Sequence, residues 1–476
     1  MAAPFKILVI DDDPTGSQTV HSCPLLLRWD PATLAAGLEH PSPLLFLLAN
    51  TRALAPQAAA ERVRQICRAL AAALPAAGIA RWWLVSRGDS TLRGHFPLEV
   101  DVISAELGPF AATLLIPAFL EGGRTTVGGV HLLHGQPVDQ TPFARDGLFG
   151  YGTSYLPAWV EEKSGGRMPA QQVQRLDAAE LERAAADGGQ ALAARLAGWQ
   201  NQPVVAVDAQ RPPQLAALAG VVRASSRPVL AQSAASWIQA LAELPPQPRN
   251  ASGLAQGRRR GLGGKPLPGL VLVGSHVPLA DAQLEQLLRE PGCAGIELPV
   301  ARLARVLEGP LSEPLLASLE QDWLVQLQAL LADGHTPVLF TSRGELCCGS
   351  AVERRRLGDG LAALMARLAA ALAPQLGYLI SKGGITTHTL LADGLGLAAV
   401  ELQGQLLPGL SLVLTPVEAA VPQLPVLTFP GNLGDAGTLR QAWRCMEGLD
   451  PQAEPDGGSQ PDPSAAARRS ASSEPP

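Results

Sequence analysis

The chain of 476 residues has little charge, and almost no lysine to carry it. Charged residues make up 17%, and lysine occurs only at Lys6, Lys163, Lys265 and Lys382. With a formal net charge of −6, the basic face that general nucleic-acid binding requires is missing. No apolar run reaches the roughly 20 residues that span a bilayer. The start, Met-Ala-Ala-Pro-Phe-Lys, lacks the charged region and long apolar core of a secretory signal. Six cysteines, at 23, 67, 293, 347, 348 and 445, show no C-x-x-C or Cys/His ligand spacing. The adjacent pair Cys347–Cys348 is no usual disulfide, so reduced thiols in a cytoplasmic protein are the simplest account. The P-loop pattern G-x-x-x-x-G-K-[ST] and the dinucleotide pattern G-x-G-x-x-G are both absent. The expected partner is a small molecule, with neither nucleic acid nor membrane; oligomeric state stays open.

What is there suffices for well-buried cores: 47% of residues are hydrophobic, and the length predicts two domains. Short apolar strands are predicted at 5–10, 44–48, 82–85, 113–116 and 204–207, separated by Ala- and Leu-rich helical stretches such as 58–73 and 177–199. A second series follows, with strands at 270–273, 338–341 and 378–380 and helices at 279–289, 361–373 and after Thr386. This alternation predicts an α/β protein of two domains, each a largely parallel sheet flanked by helices. Residues 245–268, rich in Pro, Gly and Arg, lack apolar periodicity and read as a flexible linker, with Arg258–Arg260 as a solvated charge run. The expected division is 1–244, linker 245–268, 269–448, and a disordered tail at 449–476, which cannot bury enough apolar area to offset ordering.

The densest cluster of polar chemistry is Ser86-Arg87-Gly88-Asp89-Ser90-Thr91-Leu92-Arg93-Gly94-His95, directly after the apolar run Trp82–Val85. Strand ends in open α/β sheets are where ligands sit. Guanidinium forks suit a carboxylate, while hydroxyls and a carboxylate suit sugar hydroxyls. Two further strand ends carry related groups. Asp11-Asp12-Asp13-Pro14-Thr15-Gly16 offers acids for a hydroxyl, a metal or general-base work; helix capping is the plain alternative. Glu121-Gly122-Gly123-Arg124-Thr125-Thr126 offers a guanidinium and hydroxyls.

The second domain uses glycines instead of acids. Its strand ends read Gly274-Ser275-His276, Ser342-Arg343-Gly344-Glu345 and Ser381-Lys382-Gly383-Gly384-Ile385-Thr386-Thr387-His388; Phe429-Pro430-Gly431-Asn432-Leu433-Gly434 adds another turn. A Gly-Gly turn opening a helix suits phosphate held by backbone N–H groups.

These motifs occur in the same order as in the four-carbon acid sugar kinases, and over roughly residues 5 to 440 the chain resembles that family. Asp89-Ser90-Thr91-Leu92-Arg93-Gly94 is the most specific piece. The resemblance implies an N-terminal acid-sugar domain, a C-terminal ATP domain and phosphoryl transfer in the cleft between them, with ATP and Mg²⁺ as cofactors. It implies Asp12 or Asp13 as general base, and Asp89, Ser90, Arg93, Arg124 and Thr125 on the acid-sugar side. Ser275, Lys382, Gly383, Gly384, Thr386, Gly431 and Asn432 fall on the nucleotide side. Two positions depart from the usual pattern: Ile385 stands where an acidic residue is common, and Arg87 where lysine is common. A nicotinamide-dependent sugar-acid dehydrogenase and a noncatalytic sugar-acid or nucleotide sensor remain the alternatives.

Overall fold

A computed structural model describes residues 5–275, 277–309, 312–344 and 350–453. His276, Glu345, the Cys347–Cys348 pair and tail residues 454–476 lie outside the described residues. The strands are β1 (Phe5–Asp11), β2 (Cys23–Leu26), β3 (Leu44–Leu48), β4 (Arg81–Arg87), β5 (Thr113–Ile116), β6 (Arg124–Val127), β7 (Val130–Leu133), β8 (Gln136–Pro137), β9 (Gln174–Leu176), β10 (Val204–Val207), β11 (Leu230–Ser233), β12 (Gly269–Val273), β13 (Cys293–Leu298), β14 (Thr336–Thr341), β15 (Tyr378–Lys382), β16 (Ala399–Leu407), β17 (Leu410–Leu414) and β18 (Pro425–Phe429). In β1, β3, β5, β12 and β15 nearly every residue is buried. Continuous Val, Ile and Leu runs of this kind suit parallel strands covered by helices on both faces.

Two separate sheets were expected. Instead a single 15-stranded sheet runs through both halves, in the order β13-β14-β12-β15-β18-β17-β16-β2-β3-β1-β4-β11-β5-β10-β9. The parallel blocks are joined by antiparallel pairings of β18 with β17, β17 with β16, and β16 with β2. At the seam Ala399, Val400, Glu401 and Leu402 pair with Leu26, Leu25, Pro24 and Cys23, and Leu25, Leu26, Val400 and Leu402 are buried. Burying such a side chain is worth about 1.5–3 kcal/mol, so the join is an apolar core rather than a hinge. Neither β2 nor β16–β18 is among the strands the sequence predicts.

Three antiparallel pairings leave the two parallel blocks running in opposite directions. Six pairings separate β15 from β1, and at about 20–25° each the sheet turns through roughly 120–150°. That twist swings the two carboxyl edges toward one another. Within each block the register aligns the strand ends: Asp11 lies beside Leu48 and Arg87, and Ser233 beside Arg87 and Ile116. In the other block Val273 lies beside Lys382 and Phe340, and Lys382 beside Phe429.

The segment 245–268 is pinned, not free. Gln247 exchanges two hydrogen bonds with the Gln405 backbone, at 2.6 and 3.0 Å. Arg258 reaches Glu447 at 2.5 Å and stacks on Tyr378. The Arg259 guanidinium donates to the carbonyls of Ala373 and Leu376. The expected solvated arginine run is therefore corrected at two of its three positions, because these guanidiniums satisfy strand- and helix-end carbonyls. One helix, Glu353–Gln375, is long and apolar enough to cross a membrane, which the sequence reading did not foresee. Leu364, Met365, Leu368 and Leu372 bury it against the core.

Candidate active site

The acid-sugar side is a lattice of buried ions at the carboxyl ends of β1, β3 and β4. Its hub is Arg52, in a short turn, Thr51–Ala53, just after β3. Arg52 grips both oxygens of Asp12, Nε at 2.9 Å and Nη2 at 2.6 Å. Its Nη1 lies 3.4 Å from Asp13 and 3.6 Å from Asp89. Arg87 donates to Asp12 at 3.2 Å, to Asp11 at 3.4 Å and to Gln18 at 3.0 Å. Sequence reasoning missed Arg52 because no motif surrounds it. The signal was nonetheless the same one used elsewhere: a polar strand end, Asn50-Thr51-Arg52, after an apolar run.

The turn after β4 is held rigidly. Leu92 adopts φ 65°, a strained state for a bulky residue and one that clusters at functional sites. The Tyr151 hydroxyl donates to the Thr91 carbonyl at 2.7 Å. His131 Nε2 lies 2.8 Å from the Ser90 carbonyl, which can only accept, so the proton sits on Nε2 and Nδ1 accepts from Thr126. Burial pulls His131 down to about 4, so it stays neutral. Through His131 the Ser90 turn is fastened to the β6–β7 hairpin that carries Arg124. Alternation along β6 puts Thr126, not the expected Thr125, on the face of Arg124.

The electrostatics divide the acids into two kinds. Burial pushes Asp13 upward, but Arg52 and a hydrogen bond from Thr15 outweigh it and hold the carboxyl below its ordinary value. Asp89 is likewise held well below the carboxylate range, Arg93 and Arg52 overriding burial. Burial instead raises Asp11 to about 7 despite Arg87, and burial with the nearby Asp12 charge raises Glu99 to about 7. Thr51 donates to Glu99. Arg93 binds Asp89 at 2.9 Å and lies over Phe143. Arg124 is buried over Phe119 with its Nε unpartnered, the arrangement of a guanidinium reserved for a ligand anion.

The second block supplies a cradle at the ends of β12, β15 and β18. Gly383, at φ 116°, turns the chain from β15 into the short helix Gly384–Thr389; a side chain there is strained. A Cβ on Gly431 would lie 2.9 Å from the Ser275 hydroxyl, and one on Gly274 2.0 Å from that of Thr386. The expected glycines, Ser275 and Thr386 thus share one small volume, with Asn432 half-buried in the same turn. Lys382 does not point into it. Its fully buried Nζ donates to the carbonyls of Pro430 and Gly431 at 3.0 and 3.2 Å and sits 4.1 Å over Phe429. Strand alternation turns it inward, so it ties the Pro430–Gly431 turn to β15 instead of reaching a phosphate. Beside the cradle a cavity of about 800 Å³ is lined by Val300, Leu357, Leu361, Met365 and Ile385, residues that no motif marked.

The two sides meet. A Cβ on Gly384 would lie only 2.9 Å from Asp13 Oδ2, so the Asp13 carboxylate faces the start of the Gly-Gly helix. Asp12, buried under the Arg52 fork, faces Gly94 within its own domain.

Residues 7–241 match the family model described as a sugar-binding N-terminal domain, and residues 270–439 the one described as a nucleotide-binding C-terminal domain. The chain belongs to the four-carbon acid sugar kinase family. A D-erythronate kinase of Heliobacterium modesticaldum is 26% identical over 93% of this chain and 97% of its own length. A D-threonate kinase of Cupriavidus necator is 29% identical over 76% of this chain and 80% of its own. The fold of this acid sugar kinase family member is shared with crystal structures of a Salmonella typhimurium protein (TM-score 0.62, 18% identity, covering 92% of this chain and 98% of that one) and a Haemophilus influenzae protein (0.57, 17%, 93% and 99%).

Proposed function

We propose that the protein transfers the γ-phosphoryl group of ATP to the terminal hydroxyl of a small, four-carbon sugar acid. The observation that carries this reading is the closeness of Asp13 to Gly384, an ionised carboxylate against the mouth of a phosphate-sized glycine cradle. Phosphoryl transfer is mainly positioning and charge stabilisation. Asp13 Oδ2 takes the hydroxyl proton, the hydroxyl oxygen attacks the γ-phosphorus, and ADP leaves. Arg93 and Arg124 hold the substrate carboxylate, and Asp89 with Ser90 orients hydroxyls. The N–H groups of the Gly383–Gly384 turn, with Ser275, Thr386, Gly431 and Asn432, hold the phosphates; the apolar cavity takes the base. Among the described residues no group of three or more His, Cys, Asp and Glu has a metal-site arrangement. Mg²⁺ accordingly arrives with ATP, its ligands being phosphate, water and at most one or two carboxylates. The working domains are 1–244 and 269–448, supported by the two family-model matches. Cys23, Cys67, Cys293 and Cys445 are free thiols, in keeping with the cytoplasm as the setting.

The test is ADP release with threonate, erythronate, their 2- and 3-keto forms and longer aldonates. Turnover of at least one four-carbon acid is expected. Measurable ATP binding without ADP release on any acid would sink the kinase reading in favour of a sensor.

A further inference from the structure

We infer that Gln232 and Ser233, at the carboxyl end of β11, bind an internal hydroxyl of the sugar acid and so select hydroxy acids over their keto forms. This rests on the kinase reading above and names its substrate class. Strand β11 lies between β4 and β5, so both residues border the cavity that Asp12, Asp89, Arg93 and Gly94 also line. Gln232 is 9% exposed and Ser233 2%. Gln232 Oε1 and Ser233 Oγ are buried without any hydrogen-bond partner. The Gln232 amide reaches the cavity across Gly88, where a Cβ would lie 2.3 Å from its Nε2.

A buried polar atom left unsatisfied costs about 1–3 kcal/mol, and native structures rarely keep one without a use. The charged groups of the pocket are already committed: Arg93 and Arg124 to the carboxylate, Asp13 to the terminal hydroxyl. What remains for the C2 or C3 oxygen is a neutral pair. A substrate hydroxyl donates to Gln232 Oε1 and accepts from Ser233 Oγ, satisfying both. A keto oxygen at that carbon has no proton to give and leaves Oε1 facing another acceptor. Sites built to bond a substrate hydroxyl reject analogues lacking it far better than apolar pockets do.

The test compares kcat/KM of the full chain on erythronate and threonate with 3,4-dihydroxybutyrate, 2,4-dihydroxybutyrate and the 2- and 3-keto acids. The wild type should favour the hydroxy acid by about 10–100-fold over one deoxy acid and the keto acid altered at the same carbon. Gln232→Leu should remove that preference, losing activity on the hydroxy acid but little on the deoxy acid, with KM for ATP unchanged. Ser233→Ala should shift in the same direction, and it carries the test if Gln232→Leu does not fold. Equal turnover of keto and hydroxy acids, or equal losses on hydroxy and deoxy acids in both variants, overturns the inference. Should no acid release ADP, the kinase reading fails instead; calorimetric titration of erythronate and the deoxy acids into wild type and Ser233→Ala then still reads the hydroxyl contact.

Discussion

The two halves of this molecule prepare for anions by opposite means. The first half packs Asp11, Asp12, Asp13, Asp89 and Glu99 around Arg52, Arg87, Arg93 and Arg124, side chains that pair with one another before any ligand arrives. The second brings almost no charge and relies on backbone at Gly274, Gly383, Gly384 and Gly431. The difference follows from what each must recognise. A phosphate is compact and symmetric, and N–H groups at a helix start hold it without side chains. A sugar acid differs from its isomers by the placement of single oxygens, and only oriented side chains discriminate those. Cost follows the same division. A buried ion lattice is stable only while complete, whereas a glycine cradle tolerates anything that leaves its backbone path alone.

The largest expected effect falls where the halves touch. Asp13→Asn should lower kcat by about 10²–10⁴-fold, with sugar-acid binding by calorimetry nearly intact. Asp12→Asn should weaken binding and stability together, since its partner is the Arg52 fork. Equal losses of kcat in the two variants would remove the distinction between base and anchor.

Next comes the completeness of the lattice. Arg52→Ala leaves Asp12 buried beside Asp13 and Asp89, and breaking a buried pair costs about 3–5 kcal/mol. Denaturant melts should show that loss, and Arg52→Lys should recover part of it. A loss below about 1 kcal/mol, the range of surface ion pairs, would place the lattice in solvent-like surroundings. On the other half, Gly383→Ala forces a side chain to φ 116°, costing about 1–3 kcal/mol. There KM for ATP should rise while KM for the acid holds; the reverse pattern would exchange the roles of the halves.

The smallest effect is a pH profile. Carboxylates of an unfolded chain titrate near 4, whereas Asp11 and Glu99 are raised to about 7. Between about pH 4 and 7 the folded chain holds protons that the unfolded chain has lost, so this contribution to stability falls as pH rises across that window. Sugar-acid affinity should fall as pH passes about 7, because each proton released adds negative charge to an anion pocket. Glu99→Gln should flatten the calorimetric profile, and an unchanged slope would exonerate Glu99.

Much of the fold was legible. The parallel strands at 44–48, 113–116 and 204–207 coincide with β3, β5 and β10, since buried parallel strands are short apolar runs between polar turns. The strands of the seam were not. Residues 399–407 alternate buried and half-buried positions around Gly404, and Cys23–Leu26 is four residues long and holds a proline; neither stands out until it has a partner. In the site, motif residues with several polar neighbours were found, whereas Arg52, Glu99, Gln232 and Val300 stand alone in sequence. Lys382 and Thr125 were read onto the wrong faces, because a motif names residues and the phase of a strand aims them.

The sequence by itself determined the α/β class, the chemistry of the strand ends, and which end of the chain carries acids and which carries glycines, all of them local properties of apolar period and side-chain type. Tertiary structure alone decided that one sheet runs through both halves, that Arg52 binds three carboxylates, and that Asp13 rather than Asp12 faces Gly384. Those outcomes depend on strand order, register and accumulated twist. Such quantities are set by which distant surfaces bury one another, and no stretch of the chain encodes them alone.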